Sequence, residues 1–111
     1  MQISHNTKLL NLNIIPAVTF LERAGGLLFR SKLNFNEVLL LKPCSSIHTI
    51  GMKYDLDIVY ISKQGIILKM IKNLKPFKFS FCFRANMVLE FASNEARTLN
   101  FNLGDQLLFC D

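Results

Sequence analysis

A chain of 111 residues has room for one hydrophobic core, so residues 1–111 are expected to form a single domain. Half of the residues are hydrophobic, which excludes a disordered chain, and ten phenylalanines with no tryptophan point to a core of Phe and aliphatic side chains. The formal net charge of +5 allows an acidic partner without requiring one, and three widely spaced cysteines (Cys44, Cys82 and Cys110) with no C-x-x-C pair argue against a disulfide framework.

The first residues are polar, and no apolar run is long enough to cross a bilayer. The expectation is a soluble, unexported, cytoplasmic protein that makes no membrane contact. Residues 8–15 alternate as a strand, with Leu10, Leu12 and Ile14 on one face and asparagines on the other, and Pro16 is expected to end it. A short helix is predicted next, because Thr19-Phe-Leu-Glu22 matches a capping box and Leu21, Ala24 and Leu28 share one helical face. Gly25 and Gly26 keep that helix short, or require packing to hold it.

Glu37 to Leu41 is an apolar strand closed by Lys42 and Pro43. The stretch from Cys44 to Ile61 follows, and it passes from polar, reactive residues into the most apolar strand-like run of the chain. Residues 62–65 read as a hairpin turn in which Gly65 supplies the left-handed conformation, and residues 66–71 return as the partner strand. Residues 77–83 alternate strictly. Phe77, Phe79, Phe81 and Phe83 take one face, and Lys78, Ser80 and Cys82 take the other, as in a half-buried strand with phenylalanine inside. Residues 87–91 form another strand, Ser93 is placed to cap a helix of one or two turns, and a turn at 103–106 leads into a last strand at 107–110. Six or seven short strands between frequent turns indicate a mainly β fold, a compact antiparallel sandwich or barrel-like domain with one or two short helices.

Three blocks of this sequence stand out, in order. The first is Ala17-Val-Thr19 leading into Glu22-Arg23, with Gly26-Leu-Leu-Phe-Arg30 and Leu33. The second and most specific is Cys44-Ser-Ser-Ile-His-Thr-Ile-Gly-Met52 followed by Leu56-Asp-Ile-Val-Tyr60. The third is Val88-Leu-Glu90 with a closing Leu103-Gly-Asp105. Together they resemble the domain of unknown function 192 family of small bacterial and archaeal proteins. Where the family often has an Ala-Gly pair this chain has Ala92-Ser93, so the bend there is expected to differ. The resemblance implies a mostly β sandwich or barrel and brings no assigned activity. It also implies that many relatives are exported, whereas this chain shows no leader.

Chemistry concentrates near Cys44 and His48. A cysteine beside a histidine can form a thiolate–imidazolium nucleophile, and Asp55 or Asp57 could orient it only if the fold brings one back. The same pair supplies two zinc ligands where at least three are needed, so no metal site and no cofactor are expected. The structural alternative is that His48 fixes a turn and Gly51 bends the chain.

Asp57 shares an extended face with Val59 and Ile61 and needs a partner if buried; Arg23 and Arg30 are the leading candidates. Glu90 lies on the face opposite Met87, Leu89 and Phe91, which reads as a solvated outer face first and as part of a pocket second. Between Asp57 and Glu90 there is no acidic residue, but Lys63, Lys69, Lys72, Lys75, Lys78 and Arg84 occur there.

The preferred reading is a non-enzymatic binding or accessory module with a polar cleft near Cys44–Met52. Its binding candidates are Arg23, Arg30, Ser46, His48, Thr49, Met52, Asp57 and Glu90, its partner is a small molecule or a protein, and it is a monomer or weak dimer. The alternative is a small enzyme using Cys44, His48 and Asp57. A third reading is nucleic-acid binding through the basic 63–84 region, which is not the preferred partner class.

Overall fold

Strict alternation in three neighbouring strands sets the layering of the molecule. The computed structural model describes residues 1–17 and 33–110, apart from the side chains of residues 17, 96 and 97. Ten strands are found in this part of the chain: β1 (Gln2–His5), β2 (Lys8–Leu9), β3 (Asn13–Ala17), β4 (Glu37–Leu41), β5 (Ser46–His48), β6 (Leu56–Ile61), β7 (Ile67–Leu74), β8 (Phe79–Phe81), β9 (Met87–Ala92) and β10 (Leu107–Cys110). A 3₁₀ helix spans Ala96–Asn100.

The central layer is a five-stranded sheet in the order β3-β4-β9-β6-β7. Strands β6 and β9 are buried at every position, because each feeds both faces of this sheet. On one face, Leu39, Leu41, Leu56, Ile58, Tyr60, Val88 and Ala92 form a core with Ile47 and Met52. On the other, Val38, Leu40, Val59, Ile61, Leu89 and Phe91 form a second core with Ile3 and Leu107. The side-chain period of two does this sorting, since neighbours along a strand point to opposite faces. Each fully buried aliphatic or aromatic side chain contributes roughly 1.5–3 kcal/mol relative to its exposed state.

The two cores are covered by different small sheets. A three-stranded sheet, β10-β1-β2, closes the second core through Ile3, Leu107 and Phe109. A two-stranded ribbon, β5-β8, closes the first through Ile47, Cys44 and Cys82. The result is a mainly β sandwich of three layers, and its sheets stay open rather than closing into a barrel.

All strand pairs are antiparallel except β3 with β4, which run parallel from Asn13↔Glu37 to Ala17↔Leu41. Pro16 lies inside β3 rather than after it. β3 is an edge strand, the one place in a sheet where a missing N–H costs no ladder bond. The strand expected over residues 8–15 is split into β2 and β3, with residues 10–12 in neither, and Leu10, Leu12 and Ile14 pack against the second core. Strand β1 was not expected, and it owes its order to pairing with β10, from Gln2↔Cys110 to His5↔Leu107.

The turn at 62–65 forms as expected, with Gly65 at φ +89° and its N–H bonded to the Ser62 carbonyl. The helix expected around 19–28 lies outside the described residues. The second expected helix begins at Ala96 rather than at Ser93, as a single 3₁₀ turn. Among the described residues no helix is long and apolar enough to cross a membrane.

Candidate binding surface

The β5–β8 ribbon carries Ser46 and His48 of the residues singled out from the sequence, and it reverses one expectation about its phenylalanines. Ser46, Ile47 and His48 pair with Phe81, Ser80 and Phe79. Ile47 is buried and Ser80 is turned inward, so Ser46, His48, Phe79 and Phe81 share the outer face. Phenylalanine was expected inside. Instead Phe77, Phe79, Phe81 and Phe83 are 68, 76, 67 and 90% exposed.

The cause lies in Tyr60 beneath the ribbon. Its ring is buried in the first core, and its hydroxyl donates to Ser80 Oγ at 3.0 Å. Burial pushes the Tyr60 hydroxyl up to about 12, against the lowering effect of the Ser80 bond and with small contributions from Cys44, Cys82 and Glu90. A buried phenol needs a hydrogen-bond partner, and a large inward ring at position 80 or 82 would collide with it. Small residues are therefore inside and the phenylalanines outside.

Lys69 borders the same surface. Its ammonium lies 5.7 Å from the centroid of Phe81 and 5.8 Å from that of Tyr60, and donates to the Phe81 carbonyl at 2.9 Å. The His48 ring lies 6.2 Å from that of Phe79, tilted by 52°.

The ribbon is held in place from its end. Thr49 is fully buried; its hydroxyl donates to the Lys75 carbonyl at 2.7 Å and accepts the Lys78 N–H at 2.8 Å. Main-chain bonds from Thr49 N to Lys78 O and from Phe77 N to Thr49 O, both 2.9 Å, complete the latch. Gly51, at φ +84°, turns the chain there, and Met52 goes into the core rather than lining a cleft. His48 does fix this turn, although it does so as an acceptor, Nδ1 taking the Ile50 N–H at 3.3 Å.

Cys44 and His48 are not presented to one another as nucleophile and base. The Cys44 thiol donates to the Ser46 carbonyl at 3.0 Å, while the contacts of His48 are with Ile50 and Phe79. Asp57 stands on the opposite face of the central sheet, with the parity of Val59 and Ile61. Asp57 is thus not brought back to Cys44 and His48. Among the described residues no three His, Cys, Asp or Glu side chains cluster as a metal site.

Asp57 is 1% exposed and organises its own surroundings. Oδ1 accepts the Asn73 N–H at 2.9 Å, and Oδ2 accepts the Asn94 N–H at 3.1 Å. The Thr98 hydroxyl lies 3.1 Å from Oδ2 and Lys72 Nζ lies 3.7 Å from it. Arg23 and Arg30, the partners expected for this carboxylate, lie outside the described residues. Its anchoring role falls to two main-chain amides, a threonine and a lysine.

Glu90 was expected on a solvated face and is 5% exposed in the middle of the central sheet, between Leu39 and Ile58. It faces the first core, and burial pushes its carboxyl up to about 7. An apolar strand on either side of an acid is no sign of exposure when both faces of the sheet are covered.

Beside the ribbon, a groove of about 520 Å³ is lined by Ser62, Lys63, Gln64, Ile66, Arg84 and Asn86. Arg84 of this groove follows Phe83 directly in the chain.

No curated protein matches the chain. Among solved structures, a protein of unknown function from Novosphingobium aromaticivorans DSM 12444 is similar, with a TM-score of 0.82 and 20% identity over 97% of this chain and 82% of that one. A candidate transcription regulator from Sinorhizobium meliloti 1021 is similar with a TM-score of 0.81 and 19% identity, over 96% of this chain and 89% of that one. At such identities the likeness establishes a shared fold. The family comparison reaches further, matching DUF192, described as "Uncharacterized ACR", over residues 1–109. The motif blocks, the three-layer fold and this match over nearly the whole chain place the protein in the DUF192 family, whose function is uncharacterised.

Proposed function

We propose that this protein is a non-enzymatic binding module that takes its partner on the outer face of the β5–β8 ribbon. The observation that carries the reading is the exposure of four phenylalanines on one short stretch, Phe77 to Phe83, with His48 and Ser46 beside them. Isolated exposed apolar residues are ordinary, but four exposed aromatic rings within seven residues, two of them side by side on one strand face, mark an interaction surface. The rigidity of the platform supports the same reading. Ile47 and Cys82 anchor it to the core, and Thr49 pins its end. The polar cleft expected near Cys44–Met52 gives way to this flatter surface, because Thr49 and Met52 are buried.

The small-enzyme alternative has less support. A thiol that donates to a carbonyl is held as a thiol, and the imidazole nitrogen that could act as its base already accepts a main-chain proton.

Amide chemical-shift mapping tests the proposal with three probes: a single-stranded oligonucleotide, vesicles of anionic lipid, and the protein itself at rising concentration. At least one probe is expected to move the signals of His48, Phe79 and Phe81 ahead of those of β1 and β10. Shifts confined to the β1–β10 sheet, or none with any probe, would overturn it.

A further inference from the structure

Resting on that reading of the ribbon, we infer that its partner is a single-stranded nucleic acid, bound with bases on the phenylalanines and phosphates on the neighbouring cations. Phe79 and Phe81 stand two residues apart on one face of β8. Side chains so spaced lie about 6.7 Å apart, roughly twice the thickness of a stacked base. An open strand can therefore present one base per ring. Stacking on aromatic side chains of an exposed sheet tolerates any base and needs no groove deep enough to hold a duplex.

The charge pattern selects an anionic partner. Six cations and no carboxylate lie between Asp57 and Glu90. Lys72 and Lys75 sit against Asp57 and Asp55. Among the described residues Lys63, Lys69, Lys78 and Arg84 have no carboxylate partner. Lys69 abuts the Phe81 ring, Lys78 is exposed between Phe77 and Phe79 in the chain, and Lys63 and Arg84 line a groove whose Arg84 follows Phe83 in the chain. Aromatic faces flanked by cations along one track match the alternation of base and phosphate in a single strand.

The same features count against the other occupants. A second copy would bring the same four cations to the interface, and like charges facing each other oppose pairing. A bilayer surface is met by belts of Trp and Tyr, and the outer face of this ribbon has only phenylalanine. In a duplex the base faces are hidden, so only the phosphate attraction would remain.

Fluorescence anisotropy with a labelled oligothymidylate tests the inference on the whole chain. Wild type is expected to bind with a dissociation constant on the order of 10⁻⁶ to 10⁻⁴ M near physiological salt, and to prefer the single strand to a duplex of equal length. The slope of log K against log salt is expected between about −2 and −3, since four cations each contribute about 0.7 for a single strand. Phe79→Ser with Phe81→Ser removes two exposed rings and is expected to weaken binding at least tenfold with unchanged circular dichroism. Lys63→Gln with Arg84→Gln is expected to make the salt slope shallower by about 1.4. Leu103→Ser, at an exposed position outside the ribbon, is expected to change neither.

No binding, binding indifferent to the phenylalanine substitutions, or equal affinity for duplex would overturn the inference. If anionic vesicles bind, or the chain dimerises, and either is lost with Phe79→Ser and Phe81→Ser, the single-strand partner is wrong while the ribbon remains the binding surface. If no probe responds to those substitutions, the ribbon itself is wrong.

Discussion

Asp57 and Glu90 are both buried carboxylates on paired strands, and their surroundings set them opposite tasks. Asp57 is met by two main-chain amides, the Thr98 hydroxyl and Lys72. Replacing it with alanine leaves those donors, among them the buried Thr98 hydroxyl, without this acceptor, so Asp57→Ala is expected to lose about 1–3 kcal/mol in urea unfolding. Glu90 has an apolar setting, and its carboxyl is pushed from its ordinary value of 4.5 to about 7. Between those values the folded chain keeps a proton that the unfolded chain has released. Stability should thus be highest below about pH 4.5 as far as Glu90 is concerned, fall as pH rises toward 7, and level off above. The difference is about 3 kcal/mol. Glu90→Gln removes that dependence. The variant should match the wild type near pH 4 and exceed it at pH 8, as measured by chemical denaturation across pH. Equal stability at both pH values would show that the carboxyl is not kept protonated. Neither setting was legible in the sequence. The need of Asp57 for a partner followed from its place beside Ile58 and Val59, but the amides of Asn73 and Asn94 are brought to it by tertiary structure alone.

Among the elements, the apolar strands were the most legible. Strands β4, β6, β9 and β10 announce themselves by apolar runs, interrupted within only at Asp57 in β6 and Glu90 in β9, and the turns at Gly65 and Gly104 by the residue that reaches positive φ without strain. The two turns nevertheless differ. A methyl group on Gly65 would stand 2.3 Å from the Leu107 carbonyl oxygen, whereas nothing lies within 4 Å of the corresponding position at Gly104. Gly104→Ala is therefore expected to cost about 1 kcal/mol, from the left-handed backbone alone. Gly65→Ala is expected to cost more than about 2 kcal/mol and to disturb the bond from Leu107 N to Gly65 O, with both variants compared by thermal unfolding. Equal losses would show that β10 gives way freely at this contact. Strand β8 shows where alternation stops being informative. It tells which residues share a face but not which face is inside, and here the hydroxyl of Tyr60 decided the matter by requiring Ser80. The aromatic surface was thus visible as a pattern and invisible as a surface.

At the scale of the whole molecule, the two cores are not independent. Every strand of the central sheet except the β3 and β7 edges contributes buried side chains to both, and a break in β6 or β9 opens the two together. Unfolding is expected as one cooperative transition. Far-ultraviolet circular dichroism and tyrosine fluorescence, which reports on Tyr60 in the first core and Tyr54 packed against it, should follow superimposable curves. Two separated transitions would mean that the outer sheets fail one at a time. The layer count was only partly legible from the sequence. A sandwich followed from many short strands between turns, but the parallel β3–β4 pair and the return of β1 to β10 depend on contacts between distant parts of the chain.

The pairing of Gln2 with Cys110 also matters while the chain is being made. At roughly 5–20 residues per second, β10 emerges from the ribosome many seconds after β1. Throughout that interval Ile3 has no Phe109 across from it, and the second core lacks the Leu107 that closes it. Nascent chains stalled before Leu107 should therefore be digested readily by protease, and those stalled with Cys110 clear of the tunnel should resist. For this protein, the second core cannot close until β10 has been made.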